Sequence, residues 1–307
     1  MARITVFGEP LLELASTSSG SVLGPSNLGI AGDTLNTSVY LSRLGHDVNF
    51  VTALGSDAYS DALKHRLREE GVGTENIIEH PKRVPGLYAI RTDHQGERFF
   101  TYWRDHSAAR AFFDLPDADR ALRSAVDSDL LYFSGISMAI LTPTGRSSVL
   151  EIAGRCADSG IAVAFDGNYR PYGWEDDETA RQCLTNVGKI ATMVLPTSED
   201  DDKLFGEDTP IAHAKRWREF GTSMVIVKNG PDGAWLLGED LTETHIAVDE
   251  IIKPTDTTGA GDSFNAGFLA AILDGQSPTI AAASGNRLAG QVIQHRGALI
   301  PHEAMPA

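Results

Sequence analysis

The chain has 307 residues, of which 42% are hydrophobic and 22% charged, and its formal net charge is −16 at pH 7. This balance is typical of a globular protein that is long enough to bury a large core. The acidic charge argues against a nucleic-acid or anionic-membrane partner, so an anionic substrate would need local arginine and lysine side chains.

The cysteine count and the first residues bear on where the protein works. Cys156 and Cys183 are the two cysteines of the sequence, which indicates no disulfide framework and fits a reducing compartment. Residues 1–6 predict a strand rather than a signal peptide. No stretch approaches the roughly 18 apolar residues of a membrane span. We therefore expect a cytoplasmic protein.

Strands and helices alternate along most of the chain. The β-branched and apolar runs predict strands at 4–7, 48–54, 130–134, 162–166, 192–195 and 224–228. Helical spacing and terminal signals predict helices at 35–44, 62–70, 144–159 and 279–294, and one that begins near residue 260. This order predicts a parallel sheet covered by helices on both faces.

Residues 84–110 break that alternation. Two predicted strands, 87–92 and 98–102, are separated by the polar, glycine-containing segment 93–97, which indicates a hairpin. A small antiparallel sheet beside a parallel core suits a lid over an active site. We expect one domain over residues 1–307, with a lid built from roughly 9–31 and 83–110.

The most informative stretch is 254–264, with the sequence PTDTTGAGDSF, which runs into an alanine-rich helix. Gly259 and Gly261 flank Ala260, so the backbone can turn tightly and approach a ligand closely. The free amides of the following helix would face an anion at this turn. Asp262 either caps the first helical turn or takes a proton from an alcohol during phosphoryl transfer.

Other polar residues stand where ligands bind in such folds. Asp33 follows Gly32 at a predicted helix entrance and is either an N-cap or a ligand group. Arg170 comes shortly after a buried strand, and the carboxyl ends of parallel strands face the ligand. The acidic run 199–202 is typical of a solvated helix start, and 231–233 is typical of a plain β-turn.

Residues 256–264 resemble the D-T-x-G-A-G-D-x-F signature of the ribokinase-like sugar kinases, the PfkB family. GDTLN at 32–36 and YWR at 102–104 resemble segments of the 2-keto-3-deoxygluconate kinases within that family. D-x-N-x-R-P at 166–171, K-x-G-x-x-G at 228–233 and GA at 297–298 resemble forms of the family as a whole. The resemblance runs from Gly8 to Ala298. Ala31, Ser60 and Pro196 depart from the family pattern, which has glycine, glycine and asparagine there.

The resemblance implies a three-layer α/β/α fold with a mostly parallel sheet and a small β-sheet lid. It implies transfer of phosphate from ATP, with Mg²⁺, to 2-keto-3-deoxygluconate, giving the 6-phosphate. The implied catalytic residues are Asp262 as general base and Gly259, Ala260 and Gly261 as anion hole. The implied substrate residues are Gly32, Asp33, Asn36, Tyr88, Tyr102, Arg104, Arg170 and Asp262.

The resemblance also implies nucleotide and cation sites. The implied ATP residues are Asn168, Arg170, Lys228, Gly230, Asp232, Gly233 and the 259–261 turn. Glu199 would serve Mg²⁺ through water. Asp256 and Thr258 would line a monovalent-cation site, with a K⁺ requirement left open.

Two arginines at one site favour a sugar acid, because a carboxylate supplies the partner that a neutral sugar lacks. A fructokinase-like or ribokinase-like enzyme and a non-catalytic sugar-acid sensor remain alternatives. The epimer of the keto acid also remains open. The family's lid strands imply a homo-oligomer.

Overall fold

The computed structural model describes residues 1–16, 23–92 and 98–306. In those ranges the strands are β1 Arg3–Phe7, β2 Leu11–Ser16, β3 Ser26–Ala31, β4 Asp47–Leu54, β5 Ile77–Glu79, β6 Gly86–Thr92, β7 Arg98–Trp103, β8 Leu130–Ser134, β9 Ala162–Asp166, β10 Met193–Val194, β11 Met224–Lys228, β12 Ala234–Leu237 and β13 Glu243–Ile246. The α-helices are α1 Asp33–Arg43, α2 Ala58–Glu69, α3 Ala118–Arg123, α4 Gly135–Ala139, α5 Pro143–Asp158, α6 Asp177–Gly188, α7 Ser198–Phe205, α8 Pro210–Phe220, α9 Ala260–Leu273 and α10 Pro278–Val292.

The large sheet has nine strands in the order β13-β12-β11-β10-β9-β8-β1-β4-β5. All neighbours from β11 to β5 are parallel, whereas β12 and β13 continue the sheet antiparallel. The carboxyl ends of β1, β9 and β11 therefore meet at one edge of the sheet, which is where ligands bind in open α/β sheets.

Alternate strand residues supply two separate hydrophobic cores. Leu131, Phe133 and Phe165 pack on one face beneath α5, α6 and α8. Leu130, Tyr132 and neighbouring strand residues pack on the other face beneath α1, α9 and α10. This alternation follows from the two-residue period of a strand. The structure thus confirms the expectation of a mostly parallel sheet between two helical layers.

A second, four-stranded sheet has the order β3-β2-β6-β7. The pairs β2–β3 and β6–β7 are antiparallel, and β2–β6 is parallel. The 87–92 and 98–102 strands were therefore predicted correctly, whereas the expected connection at 93–97 lies outside the described residues. The short connection from Phe7 to Leu11 joins the two sheets.

The starts of α1 and α2 differ from the sequence prediction by two residues or more. α2 begins at Ala58 rather than at residue 62, because the Asp57 side chain accepts hydrogen bonds from the Tyr59 and Ser60 amides. At α1, Gly32 occupies the N-cap position and makes no side-chain cap, so Asp33 is not the N-cap. Across the described ranges, every helix is too short or too polar to span a bilayer.

Candidate active site

The glycine turn before α9 has the geometry of an anion site. Gly259 is the N-cap with φ 76°, and no side chain caps the first amides of α9. A Cβ at Gly259 would lie 2.8 Å from the Cβ of Ala298, so both the backbone conformation and the space favour glycine. The Ala260 amide donates to the Thr257 oxygen at 3.2 Å. The absence of a side-chain cap and the helix dipole make this turn suited to a phosphate group.

Asp262 lies in the first turn of α9 and is held by α1. Asn36 Nδ2 donates to Oδ2 of Asp262 at 2.8 Å, and Thr37 Oγ1 donates to its main-chain oxygen at 3.2 Å. Burial and, after it, the nearby Asp33 carboxylate together raise the pKa of Asp262 to about 8, against the opposing effect of the hydrogen bond from Asn36. Such a carboxyl group is suited to general base catalysis near neutral pH.

A buried polar network lies beneath the turn. The Lys228 amine, at the end of β11, donates to Asp166 Oδ1 and Asn265 Oδ1, both at 3.0 Å. Asn265 donates in turn to Asp166 Oδ2 at 2.8 Å and to the Tyr132 hydroxyl at 3.0 Å. The Lys228 amine would lie 3.5 Å from a Cβ built on Gly261. Its positive charge therefore lies directly below the anion site.

Asp33 is linked to the β9 edge. Asn168 Nδ2 donates to Asp33 Oδ2 at 3.0 Å, and Asn168 has a positive φ of 32°. A positive φ is uncommon for a residue other than glycine, and asparagine tolerates it better than most. The contact places Asp33 between the β9 loop and the neighbourhood of Asp262.

Arg104 follows β7 and contacts Glu9, which follows β1. Arg104 Nε donates to Glu9 Oε2 at 2.9 Å, and its Nη2 donates to the same oxygen. Burial acts against the charge of Arg104, but the Glu9 carboxylate raises the pKa of the guanidinium above its ordinary value. Glu9 was missed from the sequence, although an acid just beyond a central strand was a usable signal.

Arg170 has a comparable partner on α7. Its Nη1 donates to Asp200 Oδ1 at 2.8 Å and to the Tyr169 carbonyl at 2.7 Å. Asp200, and not Glu199, is therefore the member of the acidic run that bonds Arg170. Nothing in the spacing of four consecutive acids distinguishes Asp200 from its neighbours.

Tyr102 of β7 lies close enough to Arg104 and Arg170 for both charges to act on it. Its ring centroid is 5.7 Å from that of Tyr172, a residue that the sequence did not single out. Burial and the Tyr172 hydroxyl raise the pKa of Tyr102 to about 12, and the charges of Arg104 and Arg170 act in the opposite direction. Tyr102 is thus in electrostatic contact with both arginines, which brings their charges to one region.

Tyr88 of β6 is a second tyrosine of the small sheet that lies beside Tyr102. Its hydroxyl donates to Oε2 of Glu13 on β2, and burial raises its pKa far above the ordinary value. The Tyr88 ring centroid is 5.8 Å from that of Tyr102. The small sheet therefore presents two neighbouring phenols, Tyr88 and Tyr102, beside Arg104.

The 228–233 segment divides into two parts. Lys228 points into the buried network, whereas Gly230–Asp232 forms a 3₁₀ turn on the surface. Gly233 has φ 87°, and a Cβ there would lie 2.1 Å from the Ile246 carbonyl oxygen. A groove of about 480 Å³ borders this turn, lined in part by Asp232, Trp235 and His245.

The family resemblance placed Glu199, Asp256 and Thr258 at cation sites, and the structure shows what each carboxylate contacts. The exposed Glu199 carboxylate pairs with Lys203 at 2.8 Å. The Asp256 carboxylate accepts from the amides of Thr258 at 2.8 Å and Gly297 at 2.9 Å. Among the described residues, no three acidic, histidine or cysteine side chains converge on a metal position. A Mg²⁺ ion held mainly by phosphate oxygens fits this donor set.

The structure brings together a glycine turn without a side-chain cap at a helix N-terminus, a carboxyl group with a raised pKa and a buried lysine, all at the carboxyl edge of an α/β sheet. These parts define a phosphotransferase that acts on an alcohol. The PfkB family model, described as pfkB family carbohydrate kinase, matches residues 1–305. The chain belongs to the PfkB family of carbohydrate kinases.

Individual relatives agree with the family match. The 2-dehydro-3-deoxygluconokinase of Dickeya dadantii is 41% identical, with 99% of each chain covered. The 2-dehydro-3-deoxygluconokinase of Escherichia coli strain K12 is 38% identical, again with 99% of each chain covered. The crystal structure of the PfkB protein from Polaromonas sp. JS666 is 27% identical and covers 96% of each chain, with a TM-score of 0.83.

Proposed function

We propose that the protein transfers the γ-phosphate of ATP to the 6-hydroxyl of 2-keto-3-deoxygluconate, which is another name for 2-dehydro-3-deoxygluconate. The observation that carries this proposal is the position of Asp262, held by Asn36 in the first turn of α9 beside the 259–261 amides. The names of the relatives that are similar over their full length support this substrate.

Asp262 acts as the general base. The substrate hydroxyl gives its proton to a carboxylate oxygen of Asp262, and its oxygen forms a bond to the γ-phosphorus of ATP. The bond from that phosphorus to the bridging oxygen breaks, and ADP leaves. The amides of Gly259, Ala260 and Gly261 and the Lys228 amine stabilise the charge on the transferred group.

The sugar acid binds between α1 and the small sheet. Arg104 and Arg170 bind its carboxylate, because guanidinium groups pair with carboxylates through two hydrogen bonds. Tyr88 and Tyr102 contact the sugar. Gly32, Asp33 and Asn36 bind hydroxyl groups beside Asp262. The small sheet acts as a lid on a single domain that spans the chain.

ATP lies along the carboxyl edge of the large sheet. Its phosphates contact the 259–261 turn, Lys228, Asn168 and Arg170. Its nucleoside part contacts Gly230, Asp232 and Gly233. A Mg²⁺ ion bound mainly by the phosphates would neutralise part of their charge, and Glu199 would contact it through water. Asp256 and Thr258 line a site for a monovalent cation such as K⁺.

We also propose that the protein is a homo-oligomer and that it is located in the cytoplasm. Leu28, Phe99 and Trp103 are exposed on the small sheet, which suits pairing between two subunits. Cys156 and Cys183 are both buried free thiols, which suits a cytoplasmic location.

A coupled assay of ADP release over a panel of sugars and sugar acids tests the substrate. The proposal predicts the highest kcat/KM on 2-keto-3-deoxygluconate, with ribose and fructose far weaker. Highest activity on fructose or ribose would favour the neutral-sugar alternatives. Tight binding of the acid without ADP release would favour a sensor. Including the galactonate-derived epimer in the panel decides the configuration that the enzyme prefers.

A further inference from the structure

Glu9 is a buried carboxylate whose hydrogen bonds go to one residue. Its side chain is 3% exposed, and Oε2 accepts from Arg104 Nε at 2.9 Å and from Nη2. Oε1 is buried and makes no hydrogen bond with any described residue. Arg104 is therefore the group that this carboxylate holds.

A contribution to the stability of the fold is not a sufficient reason for the buried Glu9–Arg104 ion pair. A buried ion pair is often no more stabilising than apolar residues of the same volume, because both charges lose their water. Glu9 belongs to the connection that leaves the large sheet, and Arg104 follows β7 of the small sheet. The pair therefore ties the small sheet to the carboxyl edge of the large one, where the ligand binds.

Gly86 makes room for this pair. A Cβ built on Gly86 would lie 2.6 Å from Cδ2 of Leu11, 2.9 Å from the Cβ of Arg104 and 2.9 Å from Oε1 of Glu9. A larger residue there would therefore press on both members of the pair as well as on Leu11. This observation does not depend on the hydrogen bonds and points to the same arrangement.

We propose that Glu9 is a positioning residue that sets the preference for an acidic substrate by fixing the orientation of Arg104. This inference rests on the proposed role of Arg104 at the substrate carboxylate. A guanidinium has five N–H donors, and Glu9 engages one on Nε and one on Nη2. The three that remain lie on Nη1 and Nη2, which form the edge that can hold both oxygens of one carboxylate.

Glu9→Gln and Glu9→Met test the positioning, because they are similar in length but only glutamine can accept a hydrogen bond. Charge-assisted bonds are about twice as strong as neutral ones. We therefore expect Glu9→Met to raise the KM for 2-keto-3-deoxygluconate roughly tenfold or more, and Glu9→Gln roughly threefold. The kcat, the KM for ATP and the weak turnover of fructose should stay within about twofold.

Glu70→Met is the matched control for fold stability. Glu70 is also buried and accepts from both Nε and Nη2 of an arginine, Arg43, at the C-terminal end of α1, and it pairs with Arg66 as well. Urea unfolding should show a loss of stability for Glu70→Met at least as large as that for Glu9→Met, with the substrate KM changed in Glu9→Met alone. Gly86→Ala provides a second route, since it should also raise the KM for the acid while Glu9 remains present.

A double-mutant cycle with Arg104→Ala separates this inference from the proposed function. We expect Glu9→Met to add nothing to the substrate KM once Arg104 is alanine. If Arg104→Ala alone leaves the KM for the acid unchanged, the proposed carboxylate site is wrong. If Arg104→Ala raises that KM but Glu9→Met does not, or if the two effects simply add, the positioning role of Glu9 is overturned and the carboxylate site stands.

Discussion

The Asn36 side-chain amide donates a 2.8 Å hydrogen bond to Oδ2 of Asp262, joining the first turn of α1 to the first turn of α9. Asparagine cannot take up a proton, so this bond stabilises the charged form of Asp262 without competing for its proton. In the proposed mechanism, the other carboxylate oxygen, Oδ1, is then available to the substrate hydroxyl. The balance between this bond, burial and Asp33 sets the pKa of Asp262.

The pH profile follows from the raised pKa of Asp262, about 8. Only the deprotonated carboxylate can accept a proton, so kcat/KM should rise with pH, with its midpoint near pH 8, and level off roughly one pH unit higher. Asp33→Asn removes a nearby negative charge and should move the midpoint to lower pH, even if the maximal rate falls. The measurement is kcat/KM between pH 5.5 and 9.5. A midpoint unaffected by Asp33→Asn would contradict the assigned cause.

The raised pKa of Asp262 also predicts that the folded protein becomes less stable as the pH rises, whereas kcat/KM increases. The folded protein favours protonated Asp262, whereas the unfolded chain loses this proton near pH 4. The stability penalty is therefore absent below pH 4, grows between pH 4 and 8, and is complete above pH 8. Asp262→Asn should raise the melting temperature at pH 9 and change it little at pH 4. Calorimetry at the two pH values checks this prediction, and a lower melting temperature for the variant at pH 9 would contradict it.

The two glycines of the turn should respond differently to alanine. At Gly261 a new Cβ would meet only the Lys228 amine, at an ordinary 3.5 Å, and alanine is the better helix former. Gly261→Ala should leave the fold as stable as before, yet weaken binding of an ATP analogue, because the Cβ occupies phosphate space. Gly259→Ala should lower the melting temperature, since φ is 76° and Ala298 is in the way. Titration calorimetry and thermal unfolding provide the readouts, and unchanged nucleotide affinity in Gly261→Ala would place the phosphates elsewhere.

The two arginines should discriminate an acid from a neutral sugar. A charge-assisted hydrogen bond contributes roughly 1.5–3 kcal/mol, so Arg104→Ala should lower kcat/KM for the sugar acid about tenfold to a hundredfold. Weak turnover of fructose should stay the same or improve slightly. Arg170→Ala should affect both substrates if it also contacts ATP. Steady-state kinetics on both substrates check this, and equal losses for Arg104→Ala would indicate a role in lid position instead.

Much of the scaffold was predictable from local patterns. The β9 and β11 strands have the predicted bounds, and α9 begins at Ala260 as the glycine turn indicated. These elements were accessible because strand runs, glycines and helix starts leave signals within a few residues. β10 is shorter than predicted, Met193–Val194, which illustrates how uncertain element ends are from sequence alone.

The partners of the site residues were harder to predict from the sequence. Glu9 and Tyr172 lie far along the chain from their partners, Arg104 and Tyr102. Asp200, the partner of Arg170, lies in a run of similar acidic residues. These pairs form only in the folded chain. Asn265 lies within the apolar face of α9, where its contact with Asp166 depends on packing against β9. Sequence reasoning identified residues with distinctive local motifs, whereas the groups that hold them depend on tertiary contacts.

Single-turnover transfer of labelled γ-phosphate from ATP to 2-keto-3-deoxygluconate tests the central claim most directly. Wild type and Asp262→Asn are compared with excess enzyme, and Asp274→Asn, at the exposed carboxyl end of α9, is the control. We expect the label on the 6-hydroxyl oxygen, with transfer roughly 10²–10⁴ slower in Asp262→Asn and unchanged in Asp274→Asn. Nucleotide and sugar-acid affinities should change little. Transfer at the wild-type rate in Asp262→Asn, or no transfer to the acid by wild type, would contradict the account.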